Sequence, residues 1–165
     1  MKKILIMSDT HGDRKLYKKI IEIERPIISI HAGDFCIDYD EIKKDFNYIV
    51  AGNNDFEGPD ILDFEIDGIK FRLIHSHQFP SFGGNATKRN EFLKEYCLDS
   101  NIDVLITGHS HLEYFEYFDN NKAILNPGSL TMPRNKMLKS SYAILYIENG
   151  KIVNKDFEKT IKYLN

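Results

Sequence analysis

Three short pairs hold five of the six histidines in this chain: Asp9-Thr10-His11, His75-Ser76-His77 and His109-Ser110-His111. With Asp34 after Gly33 and Asn53 after Gly52, they yield seven donors: Asp9, His11, Asp34, Asn53, His75, His109 and His111. The set is carboxylates, one carboxamide and imidazoles, with no thiolate. Such oxygen and nitrogen donors suit manganese, iron, zinc, nickel or cobalt. A structural zinc closes with four ligands, usually including cysteine. Seven donors shared by two ions, one carboxylate bridging, leave room for water, which is the stoichiometry of a two-metal hydrolytic site. On a continuing strand His109 and His111 would share a face. In a turn they can splay toward two neighbouring ions.

Each donor follows an apolar run that reads as a strand. Lys3 to Ser8 leads into Asp9, and Gly12-Asp13 turns and caps a helix with Leu16, Ile20, Ile21 and Ile23 as its apolar face, stopped by Pro26. Ile27–Ile30 leads through His31 to Asp34, and Tyr48–Ala51 leads to Asn53, with a short helix expected over 38–45 between them. Strands alternating with helices at this pace predict a sheet built from crossover units. The pattern then changes to a hairpin, Leu62–Ile66 and Ile69–Ile74 around Asp67-Gly68, ending at His75. A helix over Thr87–Asp99 carries Phe92, Leu93 and Tyr96 inward, and Asp103–Thr107 leads to His109. Two further hairpins turn at Asn120-Asn121 and Asn149-Gly150, with Asn126-Pro127-Gly128-Ser129 as a turn between them. Two packed sheets with helices outside fit this order, and a single mixed sheet fits nearly as well. Ligand sites in open α/β sheets gather beyond the carboxyl ends of strands, where all seven donors fall.

At 165 residues the chain suits one domain over 1–165, with 42% apolar and 28% charged residues as in an ordinary soluble protein. A net charge of −3 suggests no stable nucleic-acid partner and no anionic membrane. Cys36 and Cys97 form no CxxC pair and read as reduced thiols, that of Cys36 packing. The apolar start Ile4–Met7 stops at Ser8-Asp9, short of a signal or membrane span, so a cytoplasmic protein is expected. Exposed hairpin edges make a homo-oligomer plausible.

The order DxH (Asp9, His11), GD (Gly33, Asp34), GN (Gly52, Asn53), HxH (His75, His77), GHxH (His109, His111) and NPGS (Asn126–Ser129), with Pro133-Arg134 after it, resembles the calcineurin-like metallophosphoesterase superfamily. Within it the chain is similar to small single-domain prokaryotic phosphodiesterases of the group that includes the retromer scaffold subunit. The resemblance implies an α/β fold of two sheets sandwiched between helices, a four-layer αββα arrangement. It implies one ion on Asp9, His11, Asp34 and His111 and another on Asp34, Asn53, His75 and His109, manganese foremost, with nickel, iron, zinc or cobalt as substitutes. The implied reaction is attack of a hydroxide bridging the two ions on a small phosphodiester. The group also implies other outcomes: a non-catalytic protein-binding scaffold, a phosphomonoesterase or a nuclease.

One departure stands out. Many relatives place histidine after GN, paired with the next carboxylate, to protonate the leaving oxygen; here the residues are Asn54 and Asp55. A carboxamide donates a hydrogen bond but delivers no proton. Asn54, Asp55 and His77 are therefore the candidate catalytic residues, and Asn54, His77 and Arg134 the candidate substrate contacts. His77 reads as a substrate-side histidine, a general acid or a packing residue. Arg134, with Lys136 and Lys139, reads as a solvated loop or as a rim for phosphate. His31 reads as a buried, hydrogen-bonded histidine, and the aromatics from Tyr114 to Phe118 as hairpin filling.

Overall fold

In the computed structural model, which describes residues 1–119 and 121–159, strand β1 (Lys2–Met7) is buried on both faces over its second half. Ile4 and Ile6 enter a core with Ile30, Phe71, Leu73, Val104, Ile106 and Leu125, while Leu5 and Met7 pack on Leu16, Tyr17 and Ile20. Side chains alternate along a strand, so two apolar faces require a layer on each side. Each fully buried side chain of this size contributes roughly 1.5–3 kcal/mol.

Helix α1 (Arg14–Glu24) supplies one of those layers. Asp13 caps it by accepting from the Leu16 amide at 3.0 Å, and Arg25 ends it in the left-handed region. Its buried face is Leu16, Tyr17 and Ile20, whereas Ile23 is 44% exposed, contrary to the expected apolar face. The face rotates toward Tyr17 because its hydroxyl donates to Asp45 at 2.8 Å, so the ring can be buried without stranding a polar atom.

The first sheet continues with β2 (Ile28–His31) and β3 (Tyr48–Ile49), both parallel to β1, and is completed by antiparallel β9 (Ser141–Glu148) and β10 (Lys151–Lys159); its order is β10-β9-β1-β2-β3. The expected strand over 48–51 is shorter, because Ala51 turns its amide to the Pro59 carbonyl. The helix expected over 38–45 is the single turn α2 (Tyr39–Ile42).

The second sheet comprises β4 (Ile61–Ile66), β5 (Ile69–Ile74), β6 (Val104–Ile106), β7 (Glu113–Phe118) and β8 (Lys122–Pro127), ordered β4-β5-β6-β8-β7 with β5, β6 and β8 mutually parallel. Asp67 and Gly68, at φ 56° and 82°, make the tight turn between β4 and β5. Asn126-Pro127, expected in a turn, belongs to β8, and the turn begins at Gly128. The turn expected at Asn120-Asn121 lies partly outside the described residues, at Asn120.

Helix α3 (Ala86–Asp99) covers the outer face of the second sheet. Leu93 and Cys97, one helical turn apart, are buried against Ile74, Leu105 and Ile124, and the expected Phe92 and Tyr96 flank them half-buried. The architecture is therefore helix, sheet, sheet, helix, and the single mixed sheet is set aside. No helix among the described residues is long and apolar enough to cross a membrane.

Candidate metal centre

The carboxyl ends of β1, β2, β3, β5 and β6 deliver their following residues to one place. The chain must turn sharply there, and it does so at a cost. Asp9, His11, Asp34, His109 and His111 all have φ between 40° and 66°, a region non-glycine residues rarely occupy. Such conformations cost on the order of 1–3 kcal/mol each and gather where surroundings over-determine them. The chain also closes in tightly. A Cβ on Gly52 would lie 2.1 Å from Asp34 Oδ1, and one on Gly33 2.6 Å from His75 Nδ1.

Asp9, His11, Asp34 and His111 place one donor atom each within 4.8 Å of one another. Asp9 Oδ2 is taken by the Ser8 hydroxyl and by the His109 amide at 3.1 Å, which leaves Oδ1 facing inward. That Oδ1 and His11 Nε2 are buried without any hydrogen-bond partner. His111 Nε2 lies 3.0 Å from Asp9 Oδ1, while its Nδ1 lies 2.6 Å from the Met132 carbonyl. A carbonyl only accepts, so Nδ1 holds the proton and Nε2 presents a lone pair. Lone pairs facing one another across such distances call for a cation, and a divalent ion fits the donor set.

Asp34 leads to the remaining donors. Its Oδ2 is 3.9 Å from His11 Nε2 and 3.5 Å from His75 Nε2. Asn53 Oδ1 lies 3.2 Å from His75 Nε2 and 3.0 Å from His109 Nδ1. His75 Nδ1 donates to the Ala32 carbonyl at 2.7 Å, again directing Nε2 inward. Burial would raise the Asp34 pKa, but the closeness of His75 and hydrogen bonds from the Asn54 amide and side chain hold it well below the usual carboxylate range. Burial would lower His75, yet Asp34 and Asp9 outweigh it and its pKa is raised. The structure thus brings all seven donors together, with His109 and His111 turned toward different members of the set.

The other candidates sort differently. Asn54 donates to Asp34 twice, from its side chain to Oδ2 at 2.7 Å and from its backbone to Oδ1 at 2.9 Å. Asp55 accepts four backbone amides: Oδ2 from Asp34 and Gly52 at 2.7 Å and Phe35 at 3.3 Å, and Oδ1 from Cys36 at 2.8 Å. His77 sits with its ring centre 5.5 Å from that of His75, and its Nδ1 is buried without a partner. Burial, then the neighbouring His75, lower its pKa. Arg134 is exposed beside a cavity that His77 and His109 also line, while Lys136 and Lys139 do not line it. His31 is fully buried between Thr10 Oγ1 at 3.0 Å and the Gly33 amide at 3.1 Å, and desolvation pushes its pKa down to about 3. Cys36, expected to pack, is exposed, with φ 53° turning its thiol out to 3.6 Å from His11 Nδ1.

Several supporting groups escape a reading by ligand type. Ser8 fixes Asp9, and Ser129 Oγ donates to the Asp9 carbonyl at 2.9 Å while accepting from the Met132 amide at 2.9 Å. Asn126 donates to the Gly108 carbonyl at 2.8 Å. The NPGS motif is the signal for the last two; the Ala32 and Met132 carbonyls have no side-chain signal at all.

The calcineurin-like phosphoesterase superfamily domain matches residues 1–150. A probable metallophosphoesterase of Mycoplasma pneumoniae is 36% identical over 157 residues, spanning 95% of this chain and 97% of that protein. A predicted phosphoesterase from Streptococcus pneumoniae has a similar crystal structure, with a TM-score of 0.75 at 22% identity over 96% of this chain and 97% of its own. Vps29 from Entamoeba histolytica, crystallised in complex with zinc, gives 0.70 at 22% identity over 95% of this chain and 97% of its own. The two structures share the fold, and the domain match with the Mycoplasma relative establishes the lineage: the chain belongs to the calcineurin-like phosphoesterase superfamily.

Proposed function

We propose that this chain is a phosphodiesterase, acting as one domain on a small phosphodiester with two divalent cations, manganese foremost. Metal-dependent phosphoester hydrolysis is supported by the family and by the cluster of Asp9, His11, Asp34 and His111. Those four residues hold one cation, and Asp34, Asn53, His75 and His109 hold the other. The observation that carries the metal reading is the buried pair Asp9 Oδ1 and His11 Nε2 of the first set, unpartnered although lone-pair donors surround them.

When bound, the cations supply Lewis acidity, lowering the pKa of water toward neutrality and offsetting charge on the phosphoryl oxygens. The chain's own residues supply the geometry. Asp34 stands between both donor sets, and Asn54 fixes its two oxygens. The Ala32 and Met132 carbonyls hold His75 and His111 in the tautomer that offers Nε2. Asp55 clamps the turn from Asp34 to Cys36, so its part is positioning. Asn54, already committed to Asp34, holds no proton for a leaving oxygen. His77 lines the cavity and is the remaining candidate to donate a hydrogen bond to the substrate there.

The test is hydrolysis of bis(4-nitrophenyl) phosphate against 4-nitrophenyl phosphate with Mn, Ni, Fe and Zn. The reading expects metal-dependent activity favouring the diester, abolished by Asp34→Asn and by His75→Ala. Faster hydrolysis of the monoester would make it a phosphomonoesterase. The second reading, a protein-binding scaffold, is favoured by the fold shared with Vps29. It predicts no hydrolysis of either ester with any of the metals.

A further inference from the structure

A cavity of about 420 Å³ opens beside the centre, and no acidic residue lines it. A second cavity, of about 380 Å³ next to Asn54, has the opposite character, lined by Asp38, Asp55 and Glu57 with no cation. The acid-free cavity is bounded by Arg89, Arg134, His77 and His109 on its polar side and by Phe79 and Phe92 on its apolar side. The two phenyl rings meet edge to face at 5.0 Å. His109 belongs both to this wall and to the donor set around Asn53.

Arg89, on α3, is the residue the fold does not account for. It is half-buried, burial draws its pKa down, and among the described residues only the Tyr114 phenol raises it. No carboxylate among the described residues pairs with it. Arg72 shows how the same fold treats another partly buried arginine: both arms of its fork reach Asp63 at 2.7 Å, and Tyr96 accepts at 3.1 Å. A guanidinium drawn out of water without a counter-ion is a net cost. The cost is recovered when an anion arrives, and a fork of N–H donors matches phosphate.

We infer that one ester arm of the substrate carries a second phosphate, seated in this cavity by Arg89 with Arg134, and an apolar group that lies on Phe79 and Phe92. The inference rests on the phosphodiesterase reading for what happens at the scissile ester, but the seat itself is testable by binding alone. The apolar wall and the volume suit a group of nucleoside size.

The experiment compares thymidine 5′-monophosphate with thymidine 3′,5′-bisphosphate by titration calorimetry on the manganese-loaded protein. Charge-assisted hydrogen bonds predict that the wild type binds the bisphosphate at least about tenfold tighter. Arg89→Gln removes that difference. Arg89→Lys, which keeps the charge but not the fork, restores part of it. Lys88→Gln, an exposed neighbour with the same change of charge, leaves it intact. Equal binding of the two nucleotides by the wild type, or a difference that survives Arg89→Gln, overturns the inference. Kinetics with 4-nitrophenyl thymidine 5′-phosphate, with and without a 3′-phosphate, run alongside. An Arg89-dependent preference in binding with no hydrolysis would keep the phosphate seat and sink the phosphodiesterase reading. Hydrolysis with no preference would do the reverse.

Discussion

Replacing Asp55 by asparagine separates a role in holding the loop from a role in chemistry. The carboxylate accepts three amides on Oδ2 and one on Oδ1. An asparagine can turn its oxygen to the three, but then sets its NH₂ group against the Cys36 amide. That loses one partly exposed hydrogen bond, about 1 kcal/mol, and the remaining three lose their charge assistance, roughly another 1 kcal/mol. A loss of about 2 kcal/mol lowers Tm by roughly 4–8 °C for a domain of this size. Thermal unfolding in chelator measures it directly, free of metal linkage. Because the same turn carries Asp34, manganese affinity falls as well, and saturating manganese restores most of the turnover. An Asp55→Asn protein with wild-type Tm and wild-type manganese affinity, but a collapsed kcat, would refute this and place the carboxylate in the proton transfer.

Other predictions follow from single contacts. Gly52→Ala pushes a methyl group to 2.1 Å from Asp34 Oδ1, so manganese affinity should fall at least about tenfold, as for the loss of a supporting contact, read by calorimetry. His31 titrates near 6.5 when unfolded and about 3 when folded, so unfolding takes up a proton between those values. Stability should therefore fall as pH drops through that window, with His31 contributing a slope of about 1.4 kcal/mol per pH unit. Urea titrations in chelator should show a shallower slope for His31→Gln. Ser129→Ala breaks the link between the Asp9 carbonyl and the Met132 amide and should cost about 1 kcal/mol, with weaker manganese binding, in the same two assays.

Much of the site could be read before the fold because each donor ends an apolar run, and period-two patterning fixes where those runs stop. Asp9, Asp34 and His75 are instances. The hairpin at Asp67-Gly68 was legible for a similar reason, since few residue pairs tolerate two positive φ values. What sequence did not reveal depends on backbone atoms and on rotation. The proton on His75 and His111 is placed by the carbonyls of Ala32 and Met132, and any residue there would carry the same carbonyl. Cys36 faces out because of its left-handed backbone, which a composition argument for buried thiols does not see. On α1, Tyr17 displaced Ile23 from the buried face because a distant carboxylate, Asp45, accepted its hydroxyl. Arg89 lies in no motif, and only the missing counter-ion draws notice to it.

The central claim, two cations held by seven side chains from five strand ends, is tested most directly by anomalous diffraction from crystals grown with manganese. The account predicts two peaks roughly 3.5–4 Å apart. One should be ligated by Asp9, His11, Asp34 and His111, the other by Asp34, Asn53, His75 and His109. No peak at these residues, or a single ion that leaves Asn53, His75 and His109 without a metal at saturating manganese, would contradict it.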